Sequence, residues 1–186
     1  MKDAERRLLE MIFGEKPEFV LELITDLDRG LQSRRPEYYR QLQPGVTYEM
    51  LDDFERQVSL KLPNSFRTLY QWKNGQHPDC DEPIEDNRVW MPLEDIIATK
   101  DVLDGMIGYD FTDPNWWRRE WVPFLSNRNG DHLCLDLTTV DGEIPAQVIA
   151  FWHDWDDRST KHPSLKVWLN RLVASMNDES TSLPTE

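Results

Sequence analysis

The sequence predicts an α+β fold: an antiparallel sheet of about four or more strands, packed with N-terminal and C-terminal helices. Three observations carry this. The N-terminal half repeats apolar residues at the 3.6-residue period, as in Val20, Ile24, Leu27 and Leu31. After residue 120 the period changes to two, with Leu133, Leu135 and Leu137 alternating with His132, Cys134 and Asp136. Helical spacing then returns through Leu165, Trp168, Leu169 and Leu172.

In order along the chain, residues 1–35 read as helical. Pro17 suits a first helical position, and Phe19, Val20, Leu23, Ile24, Leu27 and Leu31 form the stripe. Gly30 and the Ser-Arg-Arg-Pro run mark an exit, with Pro36 as breaker and Gln-Pro-Gly at 43–45 as a second break. Thr47 is placed to cap a helix with Leu51, Phe54 and Val58 inward. Pro63 opens the next helix, whose stripe is Phe66, Leu69 and Tyr70 and whose left-handed stop is Asn74-Gly75. Residues 76–88 are polar and read as a loop. "RVWMP" is a short strand, and "LEDIIATKDVLDGMIG" a helix with Leu93, Ile96, Ile97 and Val102 inward.

Trp121–Ser126 is the first strand of a meander, 132–137 the second and "AQVIAFWHD" the third, with "TTVDGEIP" as the turn between the last two. Asn129-Gly130 supplies the positive backbone angles of the first hairpin. Pro163 opens the closing helix, and 177–186 reads as a flexible tail. The organisation is a helical extension over 1–40, a domain over 41–176 and the tail 177–186.

Composition excludes several function classes. The chain has 186 residues, 21 Lys plus Arg against 35 Asp plus Glu, and a net charge of −14. Nucleic acid and anionic membranes call for the opposite sign, so neither is expected as a direct partner. A basic protein partner is favoured, with solubility alone as the other reading of the same charge. No stretch is apolar enough to span a membrane, and the N-terminus does not read as a secretory signal, which points to the cytoplasm. Cys80 and Cys134 lack zinc or disulfide spacing. No Gly-x-Gly-x-x-Gly loop is present, and Ser126, Ser159 and Ser164 lack a nucleophile-elbow context.

Acids and imidazoles gather near the strand ends: Asp131, His132, Asp136, His153, Asp154, Asp156 and Asp157. They can be drawn as a hydrolytic metal site, but no His-x-His, His-x-x-x-His or Asp-x-Asp pair converges on one strand face. No catalytic residue, metal or cofactor is therefore assigned.

Taken in order, "LDDFERQVSLKLPNSFRTLYQWKNG" (51–75), "VWMPLEDI" (89–96), "WVPFLSNRNGDHLCLDL" (121–137) and "VIAFWHD" (148–154) resemble the SUKH superfamily. That group joins fungal Smi/Knr-type cell-wall-assembly regulators with many bacterial immunity proteins. The resemblance covers about residues 45–173 and lies in the ordered series, not in any single motif. It implies a binding domain without catalytic machinery. In bacteria it implies an immunity protein of a polymorphic toxin system, which binds and silences a cognate toxin or effector. A cytosolic regulatory scaffold is the alternative, and a metal-dependent hydrolase the weakest of the three.

The residues assigned to partner binding are Trp116, Trp117, Arg118, Asp131, Asp154, Asp156, Asp157, Asp81 and Glu82. Trp and Arg are the types most frequent at interface hot spots, and one of Trp116 and Trp117 is expected to be exposed. If the acids of 78–86 and 153–157 face the same side as Trp116, they form an acidic rim around an aromatic anchor. Asp131 resembles the turn aspartate of the family and is read as joint first, contact second. Oligomeric state is left open, with a monomer favoured.

Overall fold

The computed structural model describes residues 17–139 and 146–177. Thus residues 1–16, most of the "TTVDGEIP" turn and all of the tail except Asn177 lie outside the described residues. The first helix, α1 (Pro17–Arg34), is followed by α2 (Pro36–Arg40), β1 (Leu42–Pro44), α3 (Tyr48–Val58), α4 (Asn64–Trp72) and β2 (Lys73–Gln76). Then come β3 (Val89–Trp90), α5 (Leu93–Gly105), the meander β4 (Trp121–Ser126), β5 (His132–Asp136) and β6 (Gln147–Phe151), the short β7 (Thr160–His162) and α6 (Leu165–Asn177). The architecture is α+β with two antiparallel sheets: β1-β2, and a five-stranded sheet ordered β3-β4-β5-β6-β7.

Local chemistry explains the helix ends. Thr47 is extended and accepts the N–H of Met50, so it caps α3 as its residue type dictates. Ser59 closes α3 in the left-handed conformation. Pro36, expected only to break α1, also starts α2, because its fixed φ suits a first turn. Gly30 lies inside α1 instead of ending it, where a Cβ would sit 3.2 Å from the Cβ of Met176 on α6. The helix α4 ends at an extended Lys73, and Asn74-Gly75 belongs to β2 instead of a left-handed stop.

The sheet has two covered faces, which the alternation alone did not reveal. One carries Val122, Leu133, Leu135, Val148 and Ala150 into a main core shared with α1, α3, α4 and α6. The other buries Cys134, Ile149, Phe151 and Trp121 beneath Trp117, with Ile107, Phe111 and Trp116 packed against them. A strand buried on both faces needs no polar side, and β5 is buried from His132 to Leu135. Phe124 bulges between Pro123 and Leu125, and a proline beside a bulge removes no ladder hydrogen bond that the strand needs.

Val20, Ile24, Leu27 and Leu31 of α1 and Tyr38 of α2 all join the main core, so residues 17–40 share one interior with the segment that follows. In α5, Leu93 and Ile96 point inward, but Val102 is exposed, contrary to expectation. That last turn turns its opposite side inward, where Lys100 is buried and Leu103 packs on the Trp117 cluster.

Candidate functional site

The hairpin between β4 and β5 is organised by Asn127. Its Oδ1 accepts the backbone N–H groups of Asn129 (2.8 Å) and Asp131 (3.0 Å), while its own N–H donates to Asp131 O. The left-handed residues are Arg128 (φ 62°) and Gly130 (φ 97°), not Asn129 and Gly130 as the Asn-Gly dipeptide suggested. Gly130 is required for a second reason: a Cβ there would lie 3.0 Å from Cγ of His153.

That close approach locks the hairpin to the loop after β6. Asp131, 8% exposed, accepts the backbone N–H of His153 (3.0 Å) and faces its Nδ1 (2.8 Å) through Oδ1. Its Oδ2 accepts Asn127 Nδ2 at 2.6 Å. Burial pushes the Asp131 carboxyl up, but the His153 and Asn127 hydrogen bonds outweigh it and hold the group below its usual range. The His153 imidazole is shifted the other way, upward, chiefly by its bond to Asp131. Asp131 is therefore a joint, with its lone pairs spent inside the fold.

The loop 152–159 presents its acids around a tryptophan. Asp154, Trp155 and Asp156 are exposed, Trp155 at 65%, whereas both carboxylate oxygens of Asp157 bind Ser159 through its N–H and hydroxyl. Arg158 fixes this loop from within. Its Nη1 donates to the carbonyls of Trp155 and Asp157, its Nε donates to Trp116 O at 3.0 Å, and its guanidinium stacks 4.8 Å from the Trp116 ring. The geometry thus brings Trp116 and the 153–157 acids together. Trp116 is half-buried, so neither member of the Trp pair is fully exposed. Trp117 is 2% exposed: it packs edge-on to Trp121 and Phe151, and its Nε1 donates to Asp104 at 2.7 Å. Its place is in the second core, which rules it out as a docking residue. Arg118 is half-buried, donating to Asn115 Oδ1 and lying over the Trp121 ring.

The other acidic loop reaches the same region through Arg128, which pairs with Asp81 and donates to the carbonyls of Pro78 and Cys80. Glu82 is drawn away by Arg35 at 2.6 Å. Asp81 thus meets Arg128 in the turn that Asn127 ties to Asp131, Asp131 meets His153, and Arg158 joins Trp155 to Trp116 in the loop that follows. Sequence reasoning missed Trp155, although it stands between Asp154 and Asp156, and missed Arg158. The signal for Arg158 was its isolation as the one cation in an acidic run.

One ligand atom each from Asp131, His153 and Asp154 lies within 4.8 Å of the others, a convergence between two segments that single-strand spacing did not show. Asp131 Oδ1 is already committed to two donors there. Cys80 and Cys134 are buried and free, and burial pushes the Cys134 thiol upward, away from the thiolate a nucleophile needs. Lys100, 1% exposed, donates to the carbonyls of Arg119 and Trp121, and serves to hold the 106–120 segment onto the sheet.

Residues 45–171 match the SMI1 / KNR4 family (SUKH-1), which is most of the chain. The chain belongs to that family. It is also similar to a protein of Neurospora crassa described as a glucan synthesis regulatory protein, with 23% identity over an alignment of 201 residues covering 83% of this chain. The chain spans 37% of that relative's length. Among the described residues, no helix is long and apolar enough to cross a membrane.

Proposed function

We propose that this family member acts by docking onto another protein and not by bond chemistry, and that its partner is a basic toxin or effector that it neutralises in the cytoplasm. The observation that carries the reading is Trp155, 65% exposed between the exposed Asp154 and Asp156 on a loop that Arg158 holds in place. A large indole left in water beside fixed negative charge suits a partner with an apolar pocket and a basic rim. The net charge of −14 supports the same polarity of partner. In this reading Asp81 and Trp116 extend the contact surface, Asp131 and Trp117 support it from inside, and no metal or cofactor takes part.

The test is calorimetric titration of this chain with the product of the adjacent open reading frame. Binding in the nanomolar range is expected, as for other dedicated pairs. Trp155→Ala should weaken it by roughly 2 kcal/mol with no loss of thermal stability. An adjacent product that is neither toxic nor bound would refute the toxin reading. The Neurospora relative favours a second reading, in which the docked partner belongs to the regulation of cell-wall glucan synthesis. A growth or wall defect in an unchallenged deletion strain would select that one.

A further inference from the structure

A second region departs from the acidic character of the chain. Between the 85–88 turn, Leu133 of β5, Trp152, β7 and α6 lies an open cavity of about 470 Å³, whose wall carries Arg88, Lys161, His162 and Arg171. Several arginines elsewhere are matched to carboxylates, as Arg35 is to Glu82, Arg67 to Glu55 and Asp52, and Arg128 to Asp81. Here, among the described residues, Lys161 and Arg171 form no ion pair, in a chain where acids outnumber bases 35 to 21. Unpaired cations gathered on one concavity, against that excess, create a local potential opposite in sign to the rest of the surface.

Two mostly buried residues of its wall also carry nitrogens that the fold leaves unmatched. Arg88 and His162 are each only 8% exposed, and Arg88 Nε and His162 Nδ1 have no hydrogen-bond partner among the described residues. An unmatched buried donor costs free energy that a bound acceptor recovers. Arg88 is also held in orientation, with its guanidinium 5.5 Å from the Trp152 ring centroid. The two acids in the wall oppose an anion only weakly. Glu85 is engaged by Trp168 Nε1 at 2.9 Å, and burial pushes its carboxyl upward, toward the neutral form. Asp86 is 77% exposed at its side chain and stands 3.6 Å from Arg88, a loose contact that leaves Arg88 Nε free.

We propose that this cavity is a binding site for the phosphoryl group of a small molecule, with Arg88 and His162 as the inner polar groups of its wall and Lys161 and Arg171 as the outer cations. A carboxylate offers two oxygens in one plane, whereas these donors come from a turn, a strand and a helix. A tetrahedral anion can accept from all three directions. The indole of Trp152 in the wall supplies an apolar surface for the rest of the ligand. The site lies on other residues than the Trp155 loop, so it stands or falls independently of the docking surface.

The test is nuclear magnetic resonance of the full chain titrated with inorganic phosphate, and with sulfate and acetate at matched ionic strength. The Arg88 Nε–H and His162 ring signals are followed. Saturable shifts of both are expected with phosphate, smaller ones with sulfate and weak ones with acetate, together with a rise in the His162 pKa as phosphate binds. The double variant Lys161→Gln/Arg171→Gln removes exposed cations with no structural partner, so its melting temperature should be unchanged. Its phosphate affinity should fall roughly tenfold, or about 1.4 kcal/mol. Shifts that never saturate and are alike for phosphate and acetate, or saturable binding that the double variant leaves intact, would overturn the proposal.

Discussion

Replacing Asp131 by Ala probes the joint between the β4–β5 hairpin and the loop that carries Trp155. The substitution removes an acceptor from the buried end of a turn, leaving the backbone N–H of His153 and Asn127 Nδ2 without partners. Bonds to a charged acceptor contribute about 1.5–3 kcal/mol each, but these share one carboxylate and do not add in full, so a net loss of about 2–3 kcal/mol follows. For a chain of this length that is a fall of roughly 5–10 °C in melting temperature. The exposed imidazole of His153 contributes through pH. Asp131 is held below its usual pKa, so its contribution is present above the unfolded carboxylate range and is lost as pH falls through the folded value. His153 is raised, so its contribution is full below the ordinary imidazole range and is lost as pH rises through the raised value. Stability measured by urea titration across pH should therefore lose both limbs in Asp131→Ala, and the His153 titration should return to its ordinary position. A variant that melts with the wild type and leaves His153 unmoved would refute the role of Asp131 as a joint.

Further outcomes follow from other fixed points. Gly45→Ala should be strongly destabilising, because the new Cβ would lie 1.8 Å from the backbone oxygen of Gln71; a soluble variant with unchanged melting would contradict this. Thr47→Ala should cost about 1 kcal/mol by removing the acceptor for the Met50 N–H, read by chemical denaturation. His132, lowered by burial to about 4, should stay neutral in the folded chain, so stability should decline as pH falls from the ordinary imidazole range toward that value. Nuclear magnetic resonance titration of its ring checks the assignment.

The sequence carried the elements whose patterning is long. Val20 to Leu31, Leu51 to Val58, and Leu165 to Leu172 each span about two turns or more, and the meander registered itself through Leu133, Leu135 and Leu137. The pieces it did not disclose are short. Leu42–Pro44 and Thr160–His162 are three-residue strands, too brief to show alternation, and they exist because a neighbour supplies the ladder. Val102 and Trp117 were misplaced for one reason: which side of α5 and of the 113–121 loop faces inward depends on the second covered face of the sheet, a tertiary fact. The Asp131–His153 contact is written in register. With His132 opposite Phe151, Asp131 lies one residue and His153 two residues beyond the paired ends, which puts both at the same end of the sheet. Sequence spacing alone, 22 residues, could not say so.

The family match begins at residue 45, yet α1 lies well before it and leans on α6, with Gly30 against Met176. The recognisable segment and the folding unit thus have different borders. Homology marks where descent can still be traced, whereas cooperativity is set by whichever side chains exclude water together. A fragment trimmed to the traceable part would lose Leu27 and Leu31 from an interior they help to fill, and would leave α4 and α6 bare along one flank. Such a fragment would be prone to aggregate, and poor binding by it would say nothing about the binding surface of the intact chain.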